Sequence, residues 1–128
     1  MSGEKNKILI IEDNQAVCEI LREKLEEEGM KVDIAADGES GLRKLGESLP
    51  DVLLLDIIMP KLDGAKMLES IKQNRDISNL AVIVITNIPK EEAQKRCQGL
   101  PVKDIFVKAA SPLDEIVSRV KEILKQQK

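Results

Sequence analysis

Short apolar runs and amphipathic stretches alternate along the whole chain. Ile8-Leu9-Ile10-Ile11 and Val52-Leu53-Leu54-Leu55 are continuous, with no polar alternation, as strands covered on both faces require. Val32 to Ala36, Leu80 to Ile85 and Ile105-Phe106-Val107 complete a set of five predicted strands. Between them the apolar positions recur at helical spacing. Val17, Ile20, Leu21 and Leu25 mark a first helix, closed by Gly29. Asp37-Gly38-Glu39 opens a second, carrying Leu42 and Leu45. Met67, Leu68 and Ile71 mark a third, after a loop with Pro60 and Gly64. A fourth begins at Pro89 with a thin face of Ala93, Cys97 and Leu100, which predicts weak anchoring. The fifth turns Leu113, Ile116, Val117, Val120 and Leu124 inward. Its predicted start has Ser111 as N-cap, Pro112 at the first helical position and Asp114 in the first turn.

A strand followed by a helix, five times over, predicts an α/β doubly wound fold. Its sheet is parallel, has helices on both faces, and takes the common strand order 2-1-3-4-5. No linker or repeat interrupts the pattern. Residues 1–128 therefore read as a single domain with a core of about 6–126.

Composition narrows the chemistry. Twenty Lys and Arg stand against 23 Asp and Glu, for a net charge of -3, and 42% of the 128 residues are hydrophobic. That is enough apolar material for a core, and it leaves no electrostatic footprint for direct nucleic acid binding. The chain has no His, Trp or Tyr, and Phe106 is its one aromatic residue. A His base, a His metal ligand and aromatic stacking of a flavin or base are thereby excluded or disfavoured. Cys18 and Cys97 lack CxxC spacing and read as two buried free thiols. No uncharged run approaches the ~20 apolar residues of a membrane span, and the N-terminus does not read as a signal peptide. A cytoplasmic protein that makes no use of a membrane is the expectation.

In a doubly wound sheet, ligands bind beyond the carboxyl ends of the strands, where the strand order switches. The first strand ends in Glu12-Asp13, the third in Asp56, the fourth in Thr86 and the fifth in Lys108. Order 2-1-3-4-5 makes these four strands neighbours. Taken singly, each residue has an ordinary explanation. Asp13 reads equally well as a helix N-cap, Thr86 as a turn residue, Lys108 as a solvated charge and Asp63-Gly64 as a turn. Asp56 is harder to dismiss, because an Asp closing a four-residue apolar strand gains nothing from burial. Their joint occurrence at one rim carries the functional reading. Three adjacent carboxylates need a cation, and Mg²⁺ accepts one or two carboxylates together with waters and phosphate oxygens. Asp56 has the chemistry of a carboxylate nucleophile on phosphorus, with Lys108 and Thr86 placed to bind phosphoryl oxygens.

This set resembles the receiver domain of two-component response regulators, over essentially the whole chain. The resemblance rests on Glu12-Asp13, on Asp56-Ile57-Ile58-Met59-Pro60 through Asp63-Gly64, on Thr86 and on Lys108. It implies a (βα)5 flavodoxin-like fold of the chemotaxis-receiver type and a phosphoprotein that acts as a signalling switch, catalysing only its own phosphorylation and dephosphorylation, rather than an enzyme in its own right. Asp56 would be the phosphoacceptor. Asp13 and Asp56 would bind Mg²⁺ with the backbone carbonyl of Ile58, and Glu12 would support the metal indirectly. Thr86 and Lys108 would hold the phosphoryl group. The implied donor is a phosphohistidine on a histidine kinase or histidine phosphotransfer protein. The implied output is a downstream effector on the face of the fourth helix, fifth strand and fifth helix, with the chain a monomer or a phosphorylation-dependent homodimer.

The chain departs from the family pattern at three positions. Ile105 stands where relatives often carry an aromatic residue, and Phe106 should point to the opposite face. Output is then expected through loop and helix shifts that follow Thr86. Lys108-Ala109 replaces the usual Lys-Pro, and a cis bond there would cost ~3–4 kcal/mol. The bond is either trans with an adjusted loop or cis with strain held at the site, and the need to aim Lys108 favours cis. Asn87 follows Thr86 where a small residue is usual, which predicts slow phosphorylation by acetyl phosphate and a long-lived phosphoryl group. Other readings are a non-phosphorylating receiver-like adaptor, an aspartate-nucleophile Mg²⁺-dependent phosphatase and an FMN carrier. Position 58 is Ile where the phosphatase chemistry needs a second acid, and the missing aromatic residues disfavour FMN. Only 20 residues follow Lys108, so this chain holds no predicted output domain, whether it stands alone or is part of a longer regulator.

Overall fold

The apolar runs pair into one five-stranded parallel sheet of order β2-β1-β3-β4-β5, as the alternation predicts. The structure, a computed structural model, describes residues 6–58, 67, 69 and 80–127. The strands are β1 (Lys7–Ile11), β2 (Lys31–Ala35), β3 (Val52–Asp56), β4 (Ala81–Thr86) and β5 (Val102–Val107). The described helices are α1 (Gln15–Glu27), α2 (Gly38–Glu47), α3 (Lys90–Arg96) and α4 (Leu113–Gln126). The fourth and fifth helices expected from the sequence are thus α3 and α4. The expected third helix, with Leu68 and Ile71, and the Asp63-Gly64 turn lie outside the described residues; Met67 is described and buried.

Strand alternation divides the core in two. Ile8, Ile10, Val52, Leu54, Ile83 and Ile85 pack on one face with α1 and α4. Leu9, Ile11, Leu53, Leu55, Val82 and Val84 pack on the other with Leu45 of α2 and Ala93 of α3. Every residue of the central strands β3 and β4 is buried, which is why those segments show no polar alternation. Edge strand β2 is more open, and Lys44 of α2 reaches back to Asp33 on it, with Nζ 3.1 Å from Oδ2.

Several sequence expectations need correction. Ile20 is 44% exposed, and Cys18 takes the inward position beside Leu21. Leu42 also faces outward; Gly41 instead lets α2 lie close on β1 at Ile11. Ser111 is not the N-cap of α4, because the helix starts one residue later and Pro112 holds the cap position without a side-chain hydrogen bond. β5 is longer than predicted, reaching back to Val102.

The cysteines are free and buried, as read from the sequence, and they lie on opposite faces of the sheet. Burial pushes the Cys18 thiol up to about 11, with the charges of Glu12 and Glu19 adding to it. Burial likewise raises Cys97. Alkylation of both thiols at pH 8 should therefore be at least ~100-fold slower in the native protein than in urea; mass spectrometry of iodoacetamide-treated samples checks this, and fast native labelling would contradict the burial. A second expectation concerns α2. A Cβ at Gly41 would press on Cδ1 of Ile11 and stand 2.9 Å from its Cγ1, whereas one at Gly46 meets nothing within 4 Å. Gly46→Ala should stabilise by ~0.5–1 kcal/mol through helix propensity. Gly41→Ala should destabilise by ~1–2 kcal/mol through overpacking. Urea midpoints of the two variants should move in opposite directions.

Candidate functional site

The strand register carries the polar residues to one rim. Ile11 lies opposite Leu55, so Glu12 and Asp56 leave the ends of adjacent strands side by side. Asp56 lies opposite Ile85, and Thr86 opposite Val107, with Lys108 the next residue. One irregularity decides this last alignment. A bulge between Val82 and Ile83 on the β4–β5 ladder pairs Val82 with Val102 but Ile83 with Asp104. Without that extra residue, Thr86 would sit opposite Phe106 and Lys108 would overshoot by one position.

Glu12 is 1% exposed and Asp56 4%, whereas Asp13 is exposed. Carboxylate oxygens of the three lie within 4.8 Å of one another. The Lys108 ammonium stands between the two buried acids, 2.5 Å from Oε1 of Glu12 and 2.9 Å from Oδ2 of Asp56. The second oxygen of each is tied to backbone: Asn14 N–H donates to Glu12 Oε2 at 2.9 Å, and Ile58 N–H donates to Asp56 Oδ1 at 2.9 Å. Thr86 is fully buried; its hydroxyl oxygen accepts from Ile88 N–H at 3.3 Å. All six residues expected at the site, Glu12, Asp13, Asp56, Ile58, Thr86 and Lys108, thus belong to one rim.

Burial raises the Glu12 carboxyl. Hydrogen bonds from Lys108 and Asn14 pull it down and the Asp56 charge pushes it up, leaving it above its ordinary value. Burial alone would lower the Lys108 ammonium, but its bonds to Glu12 and Asp56 outweigh this and hold it above the usual lysine range. Lys108 is therefore a fixed cation. Three carboxylates and one ammonium leave about two negative charges in excess, with hard oxygen donors facing one point. That donor set fits a divalent cation such as Mg²⁺.

Two sequence readings are settled by geometry. Asp13 is not the N-cap of α1; Asn14 is, its Oδ1 accepting from Val17 N–H at 3.1 Å. Asp13 is thus left facing the rim. The Lys108-Ala109 bond is trans, correcting the expectation of cis. Lys108 is aimed by the strand before it, where its N–H donates to Thr86 O at 2.8 Å, so the bond that follows is not needed to orient it. Ala110 and Ser111 N–H then close the turn on Val107 O. Ile105 and Phe106 face opposite sides of the sheet, as alternation predicts. Asn14, Cys18 and Ile88 were not anticipated at the site. Asn14 was legible as a capping residue, but the other two act through backbone contacts that carry no sequence signature.

Comparison with known proteins agrees with this architecture. The response regulator receiver domain model matches residues 8–121. Response regulator MprA of Mycobacterium ulcerans is 31% identical over 123 residues, which is 95% of this chain and 51% of that protein. The chain spans about half the length of the curated relatives it matches. Among solved structures, a CheY-like receiver domain protein from Methanospirillum hungatei superimposes with a TM-score of 0.87 at 26% identity, covering 97% of each chain. TrrA of Thermotoga maritima, crystallised with Mg²⁺ and BeF, gives a TM-score of 0.79 at 27% identity, covering 92% of this chain and 98% of TrrA. With the family model matching residues 8–121, nearly end to end, the chain belongs to the response regulator receiver domain family.

Proposed function

We propose that this receiver is a phosphorylation switch in which Asp56 takes a phosphoryl group from a partner phosphohistidine. The observation that carries the reading is the half-buried Lys108 ammonium shared by the buried Glu12 and Asp56, beside an exposed Asp13. Asp13, Asp56 and the backbone carbonyl of Ile58 would hold Mg²⁺, which neutralises phosphoryl charge when bound. TrrA, crystallised with Mg²⁺ and BeF, supports that choice of cation. Glu12 keeps its oxygens on Lys108 and Asn14, and so acts on the metal only indirectly. Asp56 attacks phosphorus through a carboxylate oxygen, forming an acyl phosphate as the histidine N–P bond breaks. Lys108 follows the new charge on the phosphoryl oxygens, and the Thr86 hydroxyl donates to one of them.

Such a turn of Thr86 gives up its bond with Ile88 N–H, at the start of the loop into α3. Ile88 packs in the same cluster as Ile105 and Ala93, so the loop and α3 can respond without an aromatic rotamer. The face of α3, β5 and α4 would then meet a downstream effector or a second copy. A histidine kinase or phosphotransfer protein as donor, an effector on that face and a cytoplasmic setting belong to the same proposal, which membership of the family supports. No described helix is long and apolar enough to cross a membrane.

Intact mass after incubation with Mg²⁺ and a phosphodonor should show a single phosphoryl adduct in the wild type and none in Asp56→Asn. The absence of an adduct with every donor tried would favour the static adaptor, and sustained hydrolysis of a phosphate ester would favour the phosphatase. Asn87 is exposed at the same rim, next to Thr86. Asn87→Ala should accelerate both acetyl phosphate labelling and loss of the label several-fold; unchanged rates for both would remove Asn87 from the account.

A further inference from the structure

The Glu12 carbonyl and the Asp13 N–H belong to one peptide unit, and that unit joins two of the three clustered acids. Its orientation sets the directions in which both carboxylates leave the chain. On one side, Glu12 N–H donates to Ala35 O at 3.1 Å, which continues the β1–β2 ladder one residue past the strand. On the other, the Cys18 thiol donates to Glu12 O at 3.4 Å. Cys18 is itself held firmly. It is 2% exposed, packs among Ile10, Leu21 and Ile116, and its N–H makes the first α1 hydrogen bond, to Asn14 O at 3.1 Å. The thiol thus links the first turn of α1 to the end of β1.

We propose that Cys18 is a positioning residue for the acidic rim, its thiol fixing the peptide between Glu12 and Asp13 so that both carboxylates hold their places. A hydrophobic residue of similar size would fill the same space but leave that carbonyl without its donor. A thiol is a weak donor, so the effect is modest in size and directional in kind. The inference rests on the reading of the rim as a Mg²⁺ site, and its test separates the two.

The experiment compares wild type, Cys18→Val and Cys18→Ser in the full chain, using Mg²⁺ alone as the probe. NMR titration should show at least threefold weaker binding in Cys18→Val, with the serine variant returned to within twofold of wild type. Thermal unfolding in EDTA should show both variants fully folded at the titration temperature. Mg²⁺ affinity in Cys18→Val equal to wild type would overturn the inference and leave the metal reading intact. Wild-type protein that binds no Mg²⁺ would overturn the metal reading instead. In that event the residual dipolar coupling of the Asp13 N–H, measured without metal, decides the positioning role. It should change in Cys18→Val and return in Cys18→Ser, and an unchanged coupling overturns the inference. Should Cys18→Val unfold, Cys18→Ala carries the same comparison.

Discussion

A single ammonium divided between two buried carboxylates is the interaction around which this molecule is arranged. Glu12 and Asp56 leave adjacent strands almost without solvent, and neither acid would tolerate that position alone. Lys108 makes the arrangement possible, but one positive charge does not balance three carboxylates once Asp13 is added. The rim is therefore stable yet electrostatically incomplete. A divalent cation is the natural way to complete it.

The sheet beneath the rim behaves as a rigid base. β3 and β4 are buried throughout, and α1 and α4 cover one face with a continuous apolar layer. α4 alone buries Ile116, Val117, Val120, Ile123 and Leu124. α3 is different. It has seven residues, of which Ala93 is buried, and no side chain caps its start. Moving α3 disturbs far less apolar surface than moving α4, so a change at Thr86 and Ile88 meets its least resistance there. The thin apolar face seen in the sequence has become a mechanical asymmetry between the two helices flanking β5.

Much of this was legible from one-dimensional pattern. Continuous apolar runs identify strands covered on both faces because no polar residue can be accommodated on either side. Asp56, closing such a run, announced a buried charge that needed a reason. Errors arose where neighbouring residues offered the chain equivalent local choices. Ile20 and Cys18 both satisfy helical spacing, and the packing of α1 against Ile10 and Ile116 selected the smaller one. Asp13 and Asn14 are both capable N-caps, and the choice of Asn14 is what releases Asp13 to the rim. Ser111 and Pro112 compete in the same way before α4, where the proline took the boundary. At Lys108-Ala109 the error had another source: the aim of Lys108 is set by its place at the end of β5, and a cis bond would have added cost without improving that aim.

By itself the sequence determined the sheet, its covered faces and the identity of the acids and lysine at the strand ends, because hydrophobic periodicity and the cost of burying charge act locally and leave marks in residue order. It also excluded chemistry on a histidine of this chain, since none is present. Tertiary structure alone decided how those residues meet. The bulge at Val82/Ile83 moves β5 by one position and brings Lys108 level with the rim, and nothing in the composition of β5 announces it. The contact of the Cys18 thiol with Glu12 O, and of Ile88 N–H with Thr86, likewise joins a side chain to a main-chain group. Main-chain groups are the same in every residue, so where they point is a property of the folded chain and not of the letters that encode it.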